Sequence, residues 1–353
     1  MCKVLMVGPD RSLKGGIVSV VDALLASGLG DMCHIDYLGT GTGKNTLKKC
    51  CSFVKSLLRY CLIVSSYDVV HLHISAKGSF WRKAIMCQIA KGVGCKTILH
   101  EHSGEFEVDY EASPNWKKEL IKRVFQDADK VIALSQTWTD YFERKMGCVD
   151  VETVANGTVL HELVFNPAKY GRILYLGRLD ENKNPSLLIK SLGKLKELGI
   201  TTSCVFAGDG DILRYEKLAA ELGVSDLCHF VGWVDGLEKT NHIKRSSLLC
   251  MTSRCEGFPM SILECMSYGL PVVATAVGGI VDLVSNGSTG LLVKDDCVED
   301  LVGALACLLS NPDRLNEMGR SAHDVIEDKY TVQRSRDRLI EIYKSLICKP
   351  SCN

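Results

Sequence analysis

The stretch Ser253-Arg-Cys-Glu-Gly-Phe-Pro-Met-Ser-Ile-Leu-Glu264, followed by Gly269-Leu-Pro-Val-Val273, decides the reading of this chain. Two carboxylates stand eight positions apart, with a Gly-Phe-Pro break between them. On one continuous helix that spacing would separate the side chains by about 12 Å along the axis. Gly257 and Pro259 exclude this, because proline disfavours helix in the residue before it and suits a helix's first turn. Glu256 is therefore expected on a loop, and Glu264 within the first turn or two of the following helix. The exposed N–H groups of that helix start then lie between the two carboxylates. Such an end binds phosphate, and carboxylates suit the hydroxyls of a sugar. A ligand with a central diphosphate and polyols at both ends, a nucleotide-sugar, fits this pattern.

Working outward, the 353 residues exceed the size at which one core keeps growing, so two domains are expected. Hydrophobic residues at 46% and charged residues at 24% place the chain among soluble globular proteins. Lys+Arg and Asp+Glu are each 42, which argues against a nucleic-acid partner. Met1-Cys-Lys-Val-Leu-Met-Val7 reads as a first strand running into Gly8-Pro9, not as a signal peptide. No run approaches the roughly 18 apolar residues that span a bilayer. The 17 cysteines are scattered without any C-x-x-C pair, so they read as buried thiols of a cytoplasmic protein, with no disulfide framework and no zinc site.

Apolar β-branched runs alternate with helical-period segments, the pattern of parallel α/β layers. Strands are expected near 3–7, 33–38, 68–73, 96–100, 130–134 and 151–154, with helices near 17–27, 46–65, 79–91, 115–126 and 136–146. A second series follows, with strands near 172–177, 203–207, 228–231, 247–251, 271–274 and 290–293. The break falls near Phe165-Asn-Pro-Ala-Lys-Tyr-Gly171. Two doubly wound domains hold ligands at the carboxyl ends of their strands.

Glu256 and Glu264 match the E-x(7)-E motif of retaining glycosyltransferases, and the surroundings resemble glycosyltransferase family 4. The resemblance runs through Gly15-Gly16, Asp68-Val-Val-His-Leu-His73, His102-Ser-Gly-Glu-Phe106, Asn156-Gly157, Gly177-Arg178 with Lys183, Gly208-Asp-Gly210, Gly232-Trp-Val234, Gly269-x-Pro271 and Gly278-Gly279. It implies the GT-B fold: two facing Rossmann-like domains, with a last helix near 331–347 crossing back to the first. The expected domains are an acceptor-side domain over 1–165, a nucleotide-sugar-binding domain over 166–330, and a terminal segment 331–353 packed on the first.

In enzymes similar to this chain, the counterparts of Arg178 and Lys183 hold the donor diphosphate, whose leaving oxygen gains negative charge during transfer. The resemblance assigns Glu264 to the ribose and Glu256 to the transferred sugar, an assignment the loop-and-helix geometry shares. The segment Phe258, Pro259, Met260 and Ser261 forms the phosphate-binding helix start. The family uses glycines such as Gly208 and Gly210 for close approach to the nucleotide. Trp233 and Val234 are expected to line the base pocket through backbone groups. Gly208-Asp-Gly-Asp211 contains a D-x-D, but it ends a strand and opens a helix, so Asp211 reads as an N-cap and no metal is expected.

Gly15 and Gly16 let backbone approach a phosphate or acceptor. Gly39-Thr-Gly-Thr-Gly43-Lys44 fails as a P-loop, since Leu38 stands where a glycine is needed and Asn45 follows the lysine. His71, His73, His100 and His102 fall at the ends of two neighbouring strands, where alternation lets four imidazoles converge. Among them the resemblance points to His102, in contact with the donor sugar and the acceptor zone, with His73 beside the substrate and His71 in the core. Relatives usually carry His-Gly where this chain has His102-Ser103.

Segment 44–67 carries Lys44, Lys48, Lys49, Lys55 and Arg59 with leucines at helical spacing, the pattern of an amphipathic helix on anionic lipid. The acidic run Glu101, Glu105, Glu107, Asp109 and Glu111 reads as an acceptor loop. The resulting expectation is a metal-independent retaining hexosyltransferase without cofactor, on the inner face of the membrane. It would move sugar from a UDP- or GDP-linked donor to a glycan or lipid-linked acceptor in cell-surface polysaccharide synthesis. A GT-B nucleotide-sugar epimerase and a non-catalytic glycan- or lipid-binding scaffold are the alternatives.

Overall fold

The structure, a computed structural model, describes residues 2–41, 46–164 and 171–348, and for 46–49 the backbone alone. The chain divides into two compact units, one of residues 1–157 with 332–353 and one of residues 158–331. The expected boundary at 165/166 lies outside the described residues.

The first unit is a six-stranded sheet of β1 (Lys3–Pro9), β2 (His34–Thr40), β3 (Val69–Ile74), β4 (Lys96–Glu101), β5 (Lys130–Ala133) and β6 (Val151–Thr153). Every pairing is parallel, in the order β2-β1-β3-β4-β5-β6. Helices cover its faces, so β3 is buried along its whole length. Two histidines therefore sit inside an otherwise apolar strand. The helix Val332–Ile347 completes this unit, with Tyr343 buried beside His71 and Ser335 donating to the Ala155 carbonyl at 2.8 Å.

The second unit repeats the plan with β7 (Arg172–Leu176), β8 (Ser203–Ala207), β9 (Cys228–Gly232), β10 (Leu248–Met251), β11 (Val272–Thr275) and β12 (Gly290–Val293). Their order is β12-β11-β10-β7-β8-β9, again all parallel. The chain runs outward from β7 to β9, returns to β10, and runs outward the other way. That reversal opens a crevice between the carboxyl ends of β7 and β10.

One expectation fails in the first unit. The acidic run does not form a loop: Glu101 is buried at the end of β4, and Phe106–Glu111 is a short helix. Phe106 and Tyr110 anchor that helix in the core, an apolar spacing too brief to stand out among five acids.

Candidate active site

The loops following β7 and β10 meet at this crevice. Tyr175, buried in β7, donates from its hydroxyl to the carbonyls of Arg178 (3.0 Å) and Lys183 (3.3 Å), curling the first loop back on its strand. Thr252, after β10, donates to the carbonyls of Lys183 at 3.0 Å and Asn184 at 2.8 Å. The Arg254 amide donates to the Asn182 carbonyl at 2.7 Å. These bonds fix the two loops to one another before any side chain meets a ligand.

The Lys183 ammonium forms an ion pair with the Glu256 carboxylate. Glu256 is buried, and Ser253 donates to the same carboxylate oxygen at 2.6 Å. Arg178 is the open cation of the loop, its side chain 67% exposed and 3.8 Å from Asp180. Behind Glu256 lies Gly278, where a Cβ would come within 1.9 Å of the Glu256 carbonyl oxygen. The glycine pair thus lets the Glu256 loop seat against the chain after β11.

The helix Met260–Ser267 starts as expected, with Pro259 at its N-cap and no side-chain cap. Its first N–H groups have no intrahelical acceptor, as in every helix. Met260 and Ser261 are partly exposed there. Glu264 lies just past the first turn and pairs with Lys239 at 2.7 Å. The Phe258 ring is buried against Tyr330, centroids 5.4 Å apart, and packs the loop before the helix.

Gly208 and Gly210 have a reason within the protein. A Cβ on Gly208 would sit 1.8 Å from the Gly177 carbonyl oxygen, and Leu179 bonds across to Asp209 and Asp211 at 2.6 and 3.1 Å. The loop following β8 packs against the loop carrying Arg178. Asp211 caps the next helix, accepting from the Arg214 amide at 3.3 Å. Trp233 is 39% exposed and donates to Asp235, while Val234 is buried.

In the first unit, Gly15 and Gly16 are exposed at the start of a helix, and a Cβ on either meets nothing within 4 Å. His102 follows β4 and is partly exposed. Its Nε2 lies 2.9 Å from Nδ1 of His73. His73 is fully buried and holds His102 from below. Burial lowers the His102 pKa to about 3 and leaves the ring neutral near pH 7. The neighbouring Glu101 accepts from the Ser103 amide at 2.7 Å, and burial pushes its carboxyl well above the usual carboxylate range.

Comparison with known proteins decides the family. Residues 162–325 match the model of glycosyl transferases group 1, and residues 43–162 match that of glycosyltransferase family 4. The chain belongs to glycosyltransferase family 4. It is 27% identical over 236 residues to the alpha-D-kanosaminyltransferase of Streptomyces kanamyceticus, a match spanning 65% of this chain and 58% of that one. It is 23% identical over 309 residues to the UDP-Gal:alpha-D-GlcNAc-diphosphoundecaprenol alpha-1,3-galactosyltransferase of Escherichia coli, spanning 80% and 76% of the two chains. The structure of Anabaena HepE in complex with UDP-glucose superposes with a TM-score of 0.77 at 17% identity, covering 98% of this chain and 100% of that one.

The family-4 enzyme therefore has the GT-B fold, and its chemistry is glycosyl transfer. No described helix of this glycosyltransferase is long and apolar enough to cross a membrane. Sequence reading missed three supports of its crevice: Ser253 on Glu256, Lys239 on Glu264, and Asn182, which accepts from the Cys255 thiol at 2.8 Å. Ser253 lay inside the stretch that decides the fold. Lys239 gives no local signal, since its partner is on another element.

Proposed function

We propose that this glycosyltransferase is a metal-independent retaining hexosyltransferase that takes its sugar from a UDP- or GDP-linked donor. The observation that carries the reading is the Lys183–Glu256 pair at the crevice between β7 and β10, beside the uncapped start of Met260–Ser267. Arg178, Lys183 and the first-turn N–H groups stabilise the diphosphate as the bond from the sugar C1 to the phosphate oxygen breaks. The acceptor oxygen bonds to C1 from the face the diphosphate leaves, and the departing phosphate oxygen takes the acceptor's proton. Glu256 orients the sugar, Glu264 the ribose, and backbone at Trp233 and Val234 the base. His102 presents a neutral imidazole to the sugar and acceptor.

The acceptor we propose is a glycan or a lipid-linked glycan in cell-surface polysaccharide synthesis on the cytoplasmic face of the membrane. The likeness to a galactosyltransferase whose name specifies a diphosphoundecaprenol acceptor supports this. The domain roles follow: donor in the second unit, acceptor on the first. Screening UDP- and GDP-sugars for donor hydrolysis and thermal stabilisation tests the reading. One nucleotide-sugar should be hydrolysed slowly and raise Tm. No response to any of them, or interconversion of the sugar without release of nucleotide, overturns it.

A further inference from the structure

His71 and His73 point to one face of β3, and His73 is the register partner of His100 on β4. His71, His73 and His100 are each at most 2% exposed. Their hydrogen bonds form two short chains. Nδ1 of His71 meets the Tyr343 hydroxyl at 2.7 Å and its Nε2 meets Nδ1 of His100 at 3.1 Å. Nδ1 of His73 meets Nε2 of His102 at 2.9 Å. Each chain ends on a bare atom: Nε2 of His73 and Nε2 of His100 are buried with no partner in the structure.

Two buried ring nitrogens without partners, in one cluster, are unusual, because buried polar atoms are nearly always satisfied. One ring nitrogen from each of His71, His73 and His100 lies within 4.8 Å of the other two. Imidazoles on a zinc-sized ion at about 2.0–2.1 Å bring their nitrogens to roughly 3.4 Å apart. Binding would therefore draw these nitrogens together by at most about 1.4 Å.

We propose that His71, His73 and His100 bind one divalent transition-metal ion of the zinc class at the carboxyl end of the first sheet. His73 and His100 use their bare Nε2 atoms, and His71 exchanges its Nε2 contact with His100 for the metal. Tyr343 on Nδ1 of His71 and His102 on Nδ1 of His73 are then the outer partners that orient ligating imidazoles. Burial already keeps the rings in the neutral form a metal requires. The nearby cation, Lys83, is pushed down to about 7 by the same burial, so its repulsion is reduced at neutral pH. The site's three ligands all lie on β3 and β4 of the first unit, and it shares with the proposed transfer only His102, here an outer partner of His73.

The test uses the untagged full chain, stripped with a chelator and titrated with Co²⁺, then with Zn²⁺ in competition. Visible absorption of a tetrahedral cobalt centre should saturate at one equivalent, and Zn²⁺ should abolish it. At a hundredfold excess over Kd, Tm should rise by roughly 5–10 °C. His100→Gln and His71→Phe should lose both signals while retaining a cooperative thermal transition. His323→Ala should keep them, since His323 with Asp324 and Glu327 forms a second group of possible ligands, more open than the first. X-ray absorption of the zinc-loaded wild type needs no variant and should show an imidazole-dominated shell. No cobalt absorption, an oxygen-dominated shell, persistence in both folded cluster variants, or loss in His323→Ala each overturns the proposal.

Discussion

Lys183 and Glu256 are 73 residues apart in sequence, yet they share one ion pair across the ends of β7 and β10. Ser253 holds the same carboxylate oxygen, so the ammonium is aimed by a rigid partner. Preorganised charge of this kind typically contributes 10²–10³-fold to rate. Lys183→Ala or Arg178→Ala should therefore lower turnover by about 10²-fold or more, with far-UV CD unchanged. Steady-state kinetics of the purified variants checks this, and wild-type turnover in either removes the leaving-group role.

The D-x-D of residues 209–211 is occupied by structural work, with Asp211 capping a helix and the Asp209 carbonyl accepting from Leu179. Asp209→Asn and Asp211→Asn should leave transfer within about twofold of wild type, as for surface substitutions that retain a capping residue. Transfer should also proceed without added Mg²⁺ or Mn²⁺. A strict requirement for either ion, lost in these variants, would make the two aspartates ligands.

The helix Thr46–Ile63 turns Val54, Leu58 and Leu62 outward at 53%, 64% and 82% exposure, a ridge of four-residue spacing beside exposed Lys55 and Arg59. Lys44 lies outside the described residues, as do the side chains of Lys48 and Lys49. Each basic residue near an anionic leaflet contributes about 1 kcal/mol, and the effect is screened by salt. Sedimentation with phosphatidylserine vesicles should fall on Lys55→Glu with Arg59→Glu, and again on Leu58→Ser with Leu62→Ser. Equal, salt-independent pelleting of all variants would leave this surface without a membrane role.

The two thiols flanking the carboxylates differ in setting. Cys265 is fully buried, and burial pushes its thiol far above the ordinary value. Cys255 is partly exposed on the Glu256 loop, its thiol donating to Asn182. A thiol reagent should inactivate through Cys255, a nucleoside diphosphate should protect, and Cys255→Ser should be active and resistant. Adducts mapped by mass spectrometry to Cys50, Cys61 or Cys307 alone, with activity lost, contradict this.

Lys83 is 1% exposed and donates to the Thr40 hydroxyl at 2.7 Å. Burial lowers its pKa from 10.5 to about 7. Between those values the unfolded chain holds a proton that the folded chain does not. Stability should therefore rise with pH by about 1.4 kcal/mol per unit across that window. Lys83→Met removes this contribution, so its Tm should exceed that of wild type near pH 7 and the gap should narrow toward pH 10. A constant gap would show that Lys83 stays charged in the fold.

Most of the twelve described strands were legible as apolar runs bounded by turn residues, and their carboxyl ends located the motifs. The Glu256 loop and the Pro259 helix start followed from what glycine and proline forbid. Contacts between distant segments were not legible. Tyr343 on His71 joins residues 272 positions apart, and nothing near either predicts the other. Strand alternation brought four histidines to one face, but their burial depends on what covers that face. The burial of Phe258 and His73 was hidden for the same reason: sequence indicates where a side chain begins, not what packs over it.

The helix Val332–Ile347 also sets an order of events during synthesis. The first unit lacks Tyr343, Ser335 and the rest of that helix until the whole of residues 158–331 has been translated. The residues of the second unit, contiguous in sequence, are thus all made before the first unit has its last helix. A chain ending at residue 331 would lack the Tyr343 hydroxyl that meets His71 and the Ser335 hydroxyl that meets Ala155.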